Sequence, residues 1–281
     1  MKATNFAFFG TDQFATTILE ELFSLGIIPA LIVTTPDKPQ GRKMTLTPPP
    51  VKIWANKNNI KIIQPISLET IPPEISGGEF DVCLVASYGK ILPQALLNIP
   101  RLGFINIHPS LLPKYRGATP LESAILSGDT ETGVTLILMD AEMDHGPILA
   151  QEKLPLTDQD YLILRDQTAS LGAQMFNQIL SDFMVGKINP TAQDHTKATF
   201  TTKIKKVDGE INLDDDPIQN YRKIRAYADW PGTYFFIEKD GKKMRILIKK
   251  AHLENEQLII DRVLPEGKKE TDGRSFFKDL Y

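Results

Sequence analysis

Cysteine is almost absent: Cys83 stands alone in 281 residues. A single thiol closes no internal disulfide and builds no cysteine-based zinc cluster, so a reducing compartment is expected. Long hydrophobic runs are missing too, since no stretch approaches the roughly 18 uninterrupted apolar residues of a membrane helix. The chain runs directly into the strand-like NFAFFG without a charged leader, and a soluble cytoplasmic protein without a targeting segment is expected. Composition is unskewed: 42% apolar, 24% charged and 8% aromatic residues exclude collagen-like, coiled-coil and disordered classes. Two nucleotide motifs are also lacking. Gly10 is followed by Thr-Asp-Gln-Phe where a dinucleotide fold needs G-x-G-x-x-G, which excludes NAD and FAD. There is no G-x-x-x-x-G-K-[ST], so P-loop nucleotide hydrolysis loses its motif.

What is present reads as two domains. Over residues 1–186, short apolar runs at 6–9, 31–35, 82–86, 104–107 and 134–139 alternate with amphipathic stretches, the pattern of a mostly parallel α/β sheet with crossover helices. Phe14, Ile18, Leu22 and Leu25 predict a helix over 13–25; Leu164, Leu171, Met175 and Ile179 predict another over 160–185, stopped by Gly186 and Pro190. Residues 187–206 lack sustained periodicity and read as a linker. Residues 207–281 follow as a small β-rich domain. Ile218, Tyr221, Ile224 and Ala228 mark its one helix, three strand-like runs follow at 234–237, 245–248 and 258–263, and Asp240-Gly241 signals a hairpin. A small OB-like barrel is expected there.

The most informative stretch is GFINIHPSLLPKYRG at 103–117. On a strand, Ile105 and Ile107 point to one face while Asn106 and His108 share the other, at the carboxyl end where open α/β sheets bind ligands. Pro109 ends the strand. An N-x-H pair can also do no more than satisfy buried backbone groups.

A second polar segment, MDAEMDHGPI, follows the run at 134–139 and brings Asp140 and Asp144 to the same edge. A carboxylate beside His108 orients its imidazole and stabilises an imidazolium. Asn, protonated His and Asp together suit acyl transfer without a protein nucleophile: two donors for an oxyanion and a carboxylate to help deprotonate an attacking amine. A metal site from His108, Asp140, Asp144 and His145 is the alternative, although their spacing follows no established ligand pattern.

The combination Asn106-x-His108-Pro109-Ser110-Leu111-Leu112-Pro113, Tyr115-Arg116-Gly117, Gly133-Val134-Thr135 and Asp144-x-Gly146 resembles the folate-dependent formyltransferases. The resemblance implies a Rossmann-like catalytic domain, 10-formyltetrahydrofolate as cosubstrate, no metal, and Asn106, His108 and Asp144 as the catalytic trio. It implies folate contacts from Ser110, Leu111, Leu112 and Pro113, from Ala86, Tyr88, Gly89 and Leu92 in the loop ASYGKIL, and from Asp140. FFGTDQFA, the basic loop around Gly41-Arg42-Lys43, PPPVKIWA and Trp230-Pro231-Gly232 are similar to the branch of that superfamily whose acceptor is methionyl-tRNA. For that branch the expected partner is the acceptor arm of initiator methionyl-tRNA, met by a monomer through Arg42, Lys43, Lys203, Lys205 and Lys206. A small amine acceptor and a noncatalytic RNA-binding relative stay open as alternatives. Three positions depart from the pattern: His145 beside Asp144, Tyr115 in place of Trp, and Met44-Thr45 where lysine is expected.

Charge agrees only locally. The net charge is −3, yet residues 36–62 carry six basic side chains against Asp37, and residues 197–206 carry four against none. Such patches attract a polyanion; a solvated charged surface reads the same way.

Overall fold

Apolar runs without polar alternation belong to strands buried on both faces. The computed structural model, which describes residues 4–41, 43–239 and 241–278, places them in the middle of a sheet. The strands are β1 (Phe6–Gly10), β2 (Leu31–Val33), β3 (Lys38–Gln40), β4 (Thr45–Thr47), β5 (Ile62–Ile63), β6 (Val82–Ala86), β7 (Phe104–His108), β8 (Glu131–Leu138) and β9 (Ile148–Pro155). Seven of them lie in the order β5-β2-β1-β6-β7-β8-β9, while β3 and β4 form a separate hairpin. From β5 to β7 every pairing is parallel; β8 runs antiparallel to β7.

Alternation divides the core into two layers. Phe6, Phe8, Ile32, Leu84, Ile105 and Ile107 pack on one face with α1 (Gln13–Ser24) and α2 (Pro50–Lys57). Ala7, Phe9, Val33, Cys83, Val85 and Phe104 pack on the other, near the single turns α3 (Pro73–Ser76) and α4 (Gln94–Leu97). Helix α1 begins at Asp12, whose carboxylate accepts the Ala15 N–H at 3.2 Å and satisfies one free donor of the first turn.

Two further helices follow, α5 (Pro120–Ser127) and α6 (Tyr161–Met184). The stripe of α6 is rotated from the one predicted. Leu164 and Met175 are buried as expected, but Leu171 and Ile179 are half-buried, and Ala169, Ala173, Phe176 and Leu180 take the centre. Small residues lead there because the backbone comes close: a Cβ on Gly172 would lie 2.4 Å from Ile107 Cγ2.

The chain divides into two compact units. The first takes the residues up to Gly117 with Gly133–Leu154 and Arg165–Phe200; the second takes Ala118–Thr132, Pro155–Leu164 and the residues from Thr201 onward. The second holds α7 (Pro217–Ala226), the antiparallel sheet β10 (Tyr234–Lys239), β11 (Lys242–Glu254), β12 (Gln257–Pro265) and β13 (Thr271–Asp272), and α8 (Gly273–Lys278). Ile211, Phe235, Ile246, Ile260 and Val263 are its core. The fold class is therefore the expected one, a mostly parallel α/β sheet and a small β-rich domain. Asp240 of the expected hairpin turn lies outside the described residues. Among the described residues no helix is long and apolar enough to cross a membrane.

Candidate active site

Three polar side chains meet at the carboxyl end of β7. Asn106 lies between Val85 of β6 and Ile137 of β8, and His108 lies opposite Thr135. Asp144 comes from the turn after β8. Its Oδ1 accepts from Asn106 Nδ2 at 3.2 Å and stands 3.6 Å from His108 Nδ1; its Oδ2 accepts the Gly117 N–H at 2.8 Å. His108, only 4% exposed, places Nε2 3.0 Å from the Tyr115 carbonyl oxygen. A carbonyl can only accept, so Nε2 carries the hydrogen of that contact, and Nδ1 faces the Asp144 carboxylate. Asp144 and Tyr115 are both left-handed, with φ of +51° and +60°, a conformation that residues with a Cβ adopt sparingly.

The loop after His108 is organised by Thr135. The Thr135 hydroxyl donates to the Ser110 carbonyl at 2.6 Å, and accepts from Leu112 N–H at 3.1 Å and Gln151 Nε2 at 2.8 Å. Ser110 is buried and its hydroxyl donates to the Lys114 carbonyl at 2.6 Å. Leu112 is buried, whereas Leu111 and Pro113 are half-buried.

The strand order reverses between β1 and β6, which opens the crevice where ligands of doubly wound sheets sit. Thr11 Oγ1 donates to the Tyr88 carbonyl at 2.9 Å, and Ser87 donates to Asp12. Ala86 and Leu92 are buried at this edge, and Gly89 has φ +77°. The Tyr88 ring packs edge-on against Phe9, 2% exposed; burial pushes its hydroxyl up to about 12, and that hydroxyl has no hydrogen-bond partner among the described residues.

Asp140 and His145 form their own pair. His145 Nδ1 lies 2.7 Å from Asp140 Oδ2, and its ring stacks on His195 at 4.0 Å and 4°. The four residues of the alternative metal reading thus separate into His108–Asp144 and His145–Asp140, and among the described residues no group of three His, Cys, Asp or Glu could hold a metal.

Two buried residues were given no role by sequence. Arg116 Nη2 donates to Gln193 Oε1 at 2.6 Å and to His195 Nδ1 at 2.9 Å, while its Nε has no partner among the described residues. Gln193 Nε2 donates to the carbonyls of Asp144 at 2.9 Å and Gly146 at 2.7 Å. Arg116 stood inside the recognised Tyr-Arg-Gly motif, but Gln193 lies in the aperiodic stretch.

Of the basic residues, Lys43, Lys203, Lys205 and Lys206 are exposed, and Arg42 lies outside the described residues. Two lysines of the charged segments have partners: Lys52 Nζ lies 2.8 Å from Asp37 Oδ1, and Lys197 Nζ lies 2.9 Å from Asp194 Oδ2.

Comparison with known proteins gives the chain a family. Residues 4–180 match the family described as formyl transferase, and residues 203–258 match the formyl transferase C-terminal domain. A methionyl-tRNA formyltransferase of Chloroflexus aurantiacus is 46% identical, over 85% of this chain and 78% of its own length. One from Listeria innocua is 38% identical over 97% of this chain and 95% of its own. The chain belongs to the methionyl-tRNA formyltransferase family.

Among solved structures, a methionyl-tRNA formyltransferase from Clostridium thermocellum superposes with a TM-score of 0.60 at 18% identity, covering 96% of this chain and all of that one (100%). The sugar 3N-formyl transferase WlaRD, solved with dTDP and 5-N-formyl-THF, superposes with a TM-score of 0.65 at 22% identity, covering 91% of this chain and 88% of that one. At such identities the likeness is one of fold.

Proposed function

We propose that this member of the methionyl-tRNA formyltransferase family moves the formyl group of 10-formyltetrahydrofolate to the α-amino group of initiator methionyl-tRNA, for translation initiation. The convergence of Asn106, His108 and Asp144 carries the reading. As the unprotonated amine attacks the formyl carbon, the carbonyl electron pair moves to oxygen. Asn106 has a second N–H beyond the one given to Asp144, and Nδ1 of a protonated His108 stands 3.6 Å from the carboxylate, beyond hydrogen-bond range, so both can turn to that oxygen. Asp144 takes the proton shed by the amine, directly or through water, and passes it to the departing folate nitrogen as the old carbon–nitrogen bond breaks.

Folate binding falls to Ser110, Leu111, Leu112, Pro113, Ala86, Tyr88, Gly89, Leu92 and Asp140. The fit is chemical: the loop held by Thr135 sits beside the trio, and the buried Tyr88 hydroxyl has no hydrogen-bond partner among the described residues. Arg42, Lys43, Lys203, Lys205 and Lys206 take phosphates of the acceptor arm, with the enzyme acting as a monomer. A small amine acceptor would need no basic segments.

The test offers labelled 10-formyltetrahydrofolate with initiator methionyl-tRNA, elongator methionyl-tRNA, glycinamide ribonucleotide or an aminosugar nucleotide. Preferential labelling of the initiator is expected. Transfer only to a small amine, or tRNA binding without any transfer, overturns the reading.

A further inference from the structure

Asp144 holds a left-handed backbone, uncommon for a residue with a Cβ although Asp adopts it more readily than most. The turn is held by the segment around Gln193. Both N–H groups of the Gln193 amide are spent on the carbonyls of Asp144 and Gly146, on either side of His145. Its oxygen is fixed in turn by Arg116 Nη2. Gln193 and Arg116 are 6% and 3% exposed, so water does not compete freely for these contacts.

The restraint is anchored at both ends. Thr191 and Ile148 exchange backbone hydrogen bonds at 2.7 and 2.8 Å just before Gln193, and Arg116 N–H donates to the Thr199 carbonyl at 2.8 Å beyond it. Arg116 also immediately precedes Gly117, whose N–H holds the Asp144 carboxylate. A guanidinium only donates, so His195 Nδ1 accepts from Arg116 and keeps its ring flat against His145. The turn bearing Asp144 is therefore gripped at two carbonyls and one ring.

We propose that Gln193, fixed by Arg116, is a positioning residue for formyl transfer: it locks the Asp144 turn so that the carboxylate faces Asn106 and His108. The inference rests on the catalytic reading of Asp144. Without the two amide donors the turn relaxes, and the carboxylate leaves the 3.2 Å contact with Asn106.

Gln193→Glu tests this with little change in volume. It strengthens pairing with Arg116, so folding survives, but it presents oxygen instead of N–H to one or both carbonyls. The expected result is a fall in kcat of about 100-fold, the usual cost of misplacing a reacting group by roughly 1 Å, with KM for methionyl-tRNA and for folate within about twofold. Should that variant unfold, Arg116→Met leaves the Gln193 amide present but unanchored, and the same loss in kcat is expected. A kcat within about threefold of the native enzyme, or a loss confined to KM, overturns the proposal. Asp144→Asn separates the two readings. If it is inactive while Gln193→Glu works normally, only the positioning role fails; if it stays active, the catalytic reading fails first.

Discussion

The Gly117 N–H donates to Asp144 Oδ2 at 2.8 Å, which leaves Oδ1 alone to face Asn106 and His108. The two carboxylate oxygens therefore have separate contacts, one fixing direction and one facing the two β7 side chains. Asn106 and His108 both come from β7, so their mutual placement is set by strand geometry; Asp144 arrives from a turn and needs Gly117 to aim it.

Asp144→Asn tests that division. The amide must turn its oxygen to the Gly117 N–H, which points its NH2 at the Asn106 NH2, donor against donor, and it takes no proton. The expected fall in kcat is about 10²- to 10⁴-fold, the usual weight of a general base. Single-turnover kinetics with preformed folate complex measure it; a loss below about tenfold would assign the proton transfer elsewhere.

Gly172→Ala probes what supports β7 from below. Alanine favours the helix by about 0.8–1 kcal/mol. However, its Cβ would lie 2.4 Å from Ile107 Cγ2 and 3.4 Å from Val134 Cγ1, and Ile107 sits between Asn106 and His108 in sequence. Overpacking of this kind costs about 1–3 kcal/mol, so a small net destabilisation is expected with a reduced kcat as β7 shifts. Thermal unfolding and turnover decide: a more stable, fully active variant would show that α6 does not constrain the strand.

The Asp37 carboxyl lies below its ordinary range because Gln64 Nε2 donates to it and Lys52 pairs with it. A depressed carboxylate contributes stability that is present above the unfolded value, near 3.8, and is lost as pH falls through the lower folded value. Asp37→Asn should therefore lower the thermal midpoint at pH 7, with the gap to the native protein closing below about pH 4. An equal gap at pH 3 and pH 7 would mean that the charge is not what matters.

The legible parts of the molecule are those with a period. Asn106 and His108 could be placed on one face because strand alternation is strict, and the inner strands announced themselves as unbroken apolar runs. β9 (Ile148–Pro155) escaped because Gln151, Glu152 and Lys153 make an edge strand look like a loop. The α6 stripe was misaligned because Ala169, Gly172 and Ala173 bury a close backbone approach that carries little hydrophobic signal. Gln193 was invisible for a different reason: its burial is secured by hydrogen bonds to backbone carbonyls, which leave no pattern in residue type. His145 departs from the family pattern beside Asp144, and its partners could not be read from residue type: its nitrogen meets Asp140 and its ring meets His195.

Exposed lysines in the second unit are the remaining test of the acceptor. Lys203 and Lys206 are exposed, while Lys197 of the same basic run is tied to Asp194 and so has less to offer a phosphate. Lys203→Glu and Lys206→Glu should each raise KM for methionyl-tRNA and flatten its dependence on salt, the log–log slope falling by about one for each phosphate contact removed. Lys197→Glu should do less. Turnover at saturating tRNA should stay near native in all three, because none of them touches the trio. Measuring KM from low to moderate salt separates contact from chance: an unchanged slope in Lys203→Glu and Lys206→Glu would place the phosphate backbone elsewhere on the protein.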